Sequence, residues 1–159
     1  VAITFGGNWN QTSFDEINPD LKVGMFPVPM FEDASKNDFM LAGVTTYWGV
    51  NKESAVKDVA KDFMSWLVTS EEGQKFITSE MRLIPAFTSF SATAEEIGPL
   101  GSDLSEYISA GKVKNFYAAF YPEGGMQTFG EDMQKMLAGA TTVDELLVTL
   151  DNDWKRLAG

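Results

Sequence analysis

Five aromatic side chains, Trp9, Tyr47, Trp48, Phe120 and Tyr121, stand beside glycine, proline or a predicted strand end, where a loop can present a ring to solvent. A pyranose offers one face of C–H groups and an equator of hydroxyls. An aromatic ring buries that face, while amides and carboxylates hydrogen-bond the hydroxyls. Asn8, Asn10 and Gln11 are close to Trp9 in sequence, and Glu123 is close to Tyr121, so partners of the right type are at hand. The plainer reading is that loop aromatics plug the edges of a core. Strand alternation adds a constraint: Tyr47 and Trp48 would point to opposite faces, so only one of them lines a cleft. Phe63 and Trp154 fall on apolar helix stripes and are expected in the core, with Trp66 as a second packing edge.

Carboxylates are the other chemistry-bearing groups. Glu71/Glu72, Glu95/Glu96 and Asp151/Asp153 are neighbouring pairs, which raises a glycosidase dyad. Glu71 and Glu72 sit in a predicted first helical turn, however, and Asp151 and Asp153 lie on the polar side near a helix end. A solvated surface is the simpler reading for all three pairs. Asp151-Asn152-Asp153 lacks the glycine and the downstream bidentate Glu of a calcium loop. Gly6-Gly7 and Gly124-Gly125 are not followed by the lysine of a phosphate-binding loop.

The 159 residues contain no cysteine and no histidine. That excludes a disulfide framework, a thiol nucleophile, a Ser-His-Asp triad and the usual zinc ligands. Neither a metal nor a cofactor is expected. Twelve Lys+Arg against 23 Asp+Glu give a net charge of −11, and no basic stripe is visible, which argues against a nucleic-acid partner. Hydrophobic residues at 44% and aromatics at 13% are too many for a disordered chain.

The elements that must position these residues are legible in outline. Val1 to Phe5, Leu21 to Phe26 and Val44 to Val50 read as strands. Asn10 to Asn18 reads as a polar connection, and Phe31 to Asn37 as an exposed loop. A helix starts from Ser54 as N-cap and carries Val56, Val59, Ala60, Phe63, Met64 and Leu67 to Thr69. Ser70 caps a second helix with acidic residues in its first turn, running to about Glu80. A weaker helix covers Ser102 to Ala110. Met126, Phe129, Met133, Met136 and Leu137 make a stripe ended by Gly139. Thr142 and Glu145 fit a capping box ahead of a last helix with Leu146, Leu150, Trp154 and Leu157 on its face. Strands near the front and helices behind do not make a self-contained α/β domain, which suggests that part of the sheet is missing. The opening strand has no leader ahead of it, so the chain reads as a piece of something longer.

The order of segments carries a resemblance. A strand and Gly-x-Trp are followed by "NPDLKVGMFPVP", "GVTTYWGVNKES", "AKDFMSWLVTSEEGQKFI", "RLIPAF" and "MLAGATTVDELL". This order resembles the C-terminal portion of the extracellular (family 1) solute-binding proteins of ABC sugar transporters, the maltose-binding-protein-like group, across essentially the whole chain. The resemblance implies an α/β, periplasmic-binding-protein-like (type II) two-lobe fold, here a helix-rich C-terminal fragment with an incomplete sheet. It implies residues 1–43 and 93–159 in the C-terminal lobe, and 44–92 in the N-terminal lobe after a hinge crossing. It further implies a receptor that catalyses nothing, holds a sugar or oligosaccharide between its lobes and delivers it to membrane permease subunits. Such a protein is extracellular or periplasmic, with a lipid anchor. Trp9 occupies the place of a ring-stacking Trp. Asn8, Tyr47, Trp48, Phe120, Tyr121 and Glu123 are the remaining ligand-binding candidates. The missing part of the chain, or a swapped copy of the same chain, is the implied structural partner.

Overall fold

The computed structural model describes residues 3–44, 46–116 and 120–159. Helices dominate these residues: α1 (Gln11–Ile17), α2 (Lys57–Thr69), α3 (Glu71–Lys75), α4 (Ala94–Ser109), α5 (Gly125–Leu137) and α6 (Val143–Ala158). A 3-10 turn, Asn8–Asn10, leads into α1, and a π turn, Phe76–Glu80, continues α3. The sheet among the described residues is one parallel pair, β1 (Met40–Leu41) with β2 (Val113–Lys114), Met40 facing Val113. The chain divides into two compact units, Val1–Lys114 and Asn115–Gly159.

The helix ends follow from local chemistry. The Ser70 hydroxyl accepts from the Gly73 N–H at 3.0 Å, and Glu71 and Glu72 fill the first turn of α3, where the helix dipole favours them. Thr142 and Glu145 form the expected capping box of α6, each accepting from the other's backbone N–H. Thr93 and Glu96 form a second box, so α4 begins eight residues before Ser102. That first turn is set off from the body of the helix by Gly98-Pro99, so the expectation of a helix from Ser102 leaves it out. α2 starts at Lys57 rather than beside Ser54, whose hydroxyl instead accepts from the Val56 N–H in the preceding turn. The connection over residues 10–18 is α1, hidden from periodicity by its short length and polar content.

Among the described residues the three expected strands are not formed. Val1, Ala2 and Thr45 lie outside the described residues; Ile3 to Phe5, Leu21 to Phe26 and Thr46 to Val50 run without ladder partners. β-branched and aromatic residues suit a pleated ribbon, but a strand persists only beside a hydrogen-bonded neighbour. Met25 shows the alternative: its N–H goes to Asp103 Oδ2 of α4 at 2.6 Å.

The first unit buries Met40, Leu67, Ile77, Ile97, Leu100 and Leu104, with Gln11 and Thr78 as polar members of the same interior. In the second unit α5 and α6 pack together over Leu146. Two core expectations are corrected. Phe63 is 58% exposed and stacks on Trp66 at 5.8 Å, with Val56 and Val59 also open beside it. The stripe on α2 is apolar, but only Leu67 finds an element to bury against. Trp154 is likewise open on one side, its ring edge-on to Tyr121 at 5.1 Å.

Candidate functional site

The turn that carries Trp9 is built from two glycines. Gly7 is extended, and its carbonyl accepts from the Asn10 N–H at 3.0 Å. The indole folds back over Gly7 so closely that a Cβ there would overlap the ring, and the Asn10 amide lies over Gly6 in the same way. Glycine at position 7 permits this close approach of the ring, while at position 6 the nearest atom is the far end of the Asn10 side chain. The result is an indole 55% exposed on a tight, ordered turn, with Asn8 half-buried next to it.

Gln11 is not available to a ligand, contrary to the expectation from its position. It is 2% exposed. Its Oε1 accepts from the Leu100 N–H at 3.1 Å, and its Nε2 donates to Asp15 Oδ1 at 2.8 Å. Tyr47 is 80% exposed and Trp48 is open as well. Because no strand forms there, alternation does not assign them to opposite faces. No ring–ring contact joins Trp9 to either of them among the described residues.

The other candidates belong to the second unit. Phe120 and Glu123 are exposed. Tyr121 is half-buried, edge-on to Phe129 at 5.8 Å and to Trp154, and the three rings line a small cavity of about 60 Å³ together with Asp153. Tyr117, part of the same aromatic run, lies outside the described residues.

The carboxylate pairs have structural duties. Glu96 Oε2 accepts from the Thr93 N–H at 2.7 Å and from its hydroxyl, while Oε1 accepts from Thr78 at 3.1 Å. These donors, the Thr93 N–H foremost, hold its pKa below the usual carboxylate value. Asp153 is lowered chiefly by its hydrogen bond from Arg156, and Asp151 pairs with Lys155. No group of three or more potential acidic metal ligands gathers among the described residues.

One larger depression was not foreseen. About 390 Å³ opens between Phe31, Lys36, Phe39, Lys112 and Lys114 in the first unit. Asn37 braces its rim, accepting from the Met30 and Phe31 N–H groups and donating to the Phe31 carbonyl. Lys112 is held above its ordinary pKa, first by its hydrogen bond to Asp38. Lys114 lies 4.0 Å over the Phe39 ring. The loop over 31–37 carries few sequence signals of a pocket, because its shape comes from the distant pairing of β1 with β2.

Residues 1–98 match the family described as bacterial extracellular solute-binding protein. The chain belongs to that family. Comparison with curated proteins and with solved structures gave no match. The matched stretch contains the Trp9 turn, the Tyr47/Trp48 segment and α1 to α3, and it ends at the break in α4. Solute-binding proteins of this family are ligand receptors of ABC transporters, working with permease subunits outside the cytoplasmic membrane, and they are in general not enzymes. Their periplasmic-binding-protein fold is the frame for a helix-rich chain with a two-stranded sheet. No helix among the described residues is long and apolar enough to cross a membrane.

Proposed function

We propose that this solute-binding chain contributes a carbohydrate-stacking surface to its receptor, with Trp9 as the platform for a sugar ring. The single observation behind the reading is the indole of Trp9, half open on a turn where Gly7 leaves it room to lie flat. Asn8 supplies a neighbouring amide for hydroxyls. Tyr47 and Trp48 are the further candidates of the first unit, and Phe120, Tyr121 and Glu123 those of the second. Closure of the receptor on its solute would couple binding to permease docking. A maltose-binding-protein-like, lipid-anchored receptor is the version of this reading that the order of sequence segments favours.

Calorimetry on the full gene product with maltotriose, xylotriose and raffinose tests it. One of these neutral sugars binds, and Trp9→Ala removes about 2 kcal/mol or more, roughly thirty-fold in Kd, with the melting temperature nearly unchanged. Equal affinity in wild type and Trp9→Ala would take the indole out of the site.

The surface of the chain supports the need for a structural partner. Its accessible area is 11737 Å². The open stripe of Val56, Val59, Phe63 and Trp66 is part of it. We read that surface as the face that meets further polypeptide of the receptor, or exchanged elements of a second copy.

A further inference from the structure

α4 contains a break that its neighbours repair. Gly98 adopts φ 72 and ψ 176, between a first turn that starts at Ala94 and the body of the helix. Pro99 has no N–H, so the Glu95 carbonyl loses its usual donor. The Leu100 N–H is turned to Gln11 Oε1 at 3.1 Å, so the Glu96 carbonyl loses its donor as well. One guanidinium takes both: Arg82 Nη1 donates to the Glu95 and Glu96 carbonyls at 2.7 Å each. Arg82 itself sits at φ 53, a left-handed conformation that a non-glycine residue keeps only when its surroundings hold it.

Asp15 closes the circuit. One of its oxygens accepts from Gln11 Nε2 at 2.8 Å, and the other lies 3.2 Å from Arg82 Nη2. The absence of a side chain at Gly98 is part of the fit, since a Cβ there would come within 2.8 Å of the Gln11 side chain. Four chain segments, α1, the residue at 82, the first turn of α4 and its body, thus meet in one hydrogen-bonded ring. No charge in it lacks a partner.

Gln11 is also the residue after the Trp9 turn, and its own N–H donates to the Asn8 carbonyl to close that turn. The turn and α1 both pack on α4. Whatever fixes Gln11 therefore fixes the backbone that carries the indole. We propose that Gln11 is a positioning residue for Trp9, clamped by the Asp15–Arg82 pair against the break in α4. Its functional meaning rests on the reading of Trp9 as a solute platform; its test does not.

The test is ¹⁹F NMR of the full gene product labelled with 5-fluorotryptophan, without ligand. The Trp9 line is assigned by its loss in Trp9→Phe. Gln11→Leu and Asp15→Asn each move the Trp9 line by more than its width and leave the lines of Trp48, Trp66 and Trp154 in place. A general loss of folding would move the lines of Trp48, Trp66 and Trp154 as well, so the selective change reads position rather than stability. A Trp9 line that stays put in both variants overturns the clamp. Should Gln11→Leu unfold the protein, Asp15→Asn decides alone, because it keeps the shape and removes only the carboxylate facing Arg82. Titration of the same three sugars then separates the two ideas. A moved Trp9 line together with sugar binding that ignores Trp9→Ala leaves the clamp standing and ends the platform reading. An unmoved line together with binding lost in Trp9→Ala does the reverse.

Discussion

Leu146 and Leu147 are the same residue type at adjacent positions of α6, and the structure assigns them opposite fates. Leu146 is 4% exposed, the one fully buried apolar side chain among the described residues of the second unit, while Leu147 is 60% exposed. Truncating a buried leucine to alanine removes its transfer free energy and leaves a cavity, about 2–5 kcal/mol together. A unit of this length holds only about 2–7 kcal/mol in total, at roughly 0.05–0.15 kcal/mol per residue. Leu146→Ala therefore takes most of the second unit's stability. Leu147→Ala changes it by no more than about 0.5 kcal/mol. Far-UV circular dichroism of the full gene product measures the difference. The 13 residues of α5 and 16 of α6 lose helical signal in a separate, lower transition in Leu146→Ala, and melt as in wild type in Leu147→Ala. Equal melting curves for the two variants would refute the assignment of the α5–α6 core to Leu146.

Three further outcomes follow from the same geometry. Glu96 and Glu145 have lowered pKa values, set first by the N–H groups of Thr93 and Thr142. Their contribution is complete above the unfolded carboxylate value and is lost as pH falls through the lowered folded values. Hydrogen exchange at acid pH shows the first turns of α4 and α6 fraying there. Glu145→Gln keeps the acceptor of the box and removes the titration from α6; unchanged acid fraying in that variant would count against it. Gly98→Ala destabilises by more than about 1 kcal/mol in urea titration, because alanine resists φ 72 and its Cβ crowds Gln11; a neutral result means the break is not held as described. In the 159-residue chain by itself, Phe63→Ser lowers self-association in analytical ultracentrifugation while leaving the melting temperature within a few degrees, since its ring is open there; a large drop in melting temperature would place that ring in a core.

Much of the helical half was legible. Thr142-x-x-Glu145, Ser70 with its acidic first turn, and the Met126 to Leu137 stripe are local signals, and local signals decide helices whose ends are capped by their own residues. α4 was only half legible: its body from Ser102 shows an apolar face, while its first turn is cut off from that body by a break at Gly98-Pro99 that Arg82 and the distant Gln11 bridge. The strands fared worst for the same reason. β propensity around Val23 or Tyr47 states a preference that only a neighbour can realise, and β1 and β2 pair where a β-branched run was not evident. At the candidate site, the exposure of Trp9 agrees with a glycine-rich turn readable from sequence. The burial of Gln11 was not readable, since a Gln beside two Asn residues gives no hint that an amide on a distant helix has claimed it.

The parallel pairing of β1 with β2 has a kinetic consequence. Met40 must find Val113 across the whole of α2, α3 and α4, whereas α5 and α6 meet through a short connection. Helical hairpins of low contact order close fast, and pairings between distant residues wait for loop closure. During synthesis at about 5–20 residues per second, β1 leaves the ribosome about 4–15 s before its partner strand is made. For those seconds Met40 and the aromatic Phe39 beside it lack the partner strand, which leaves this stretch of the nascent chain open to a chaperone.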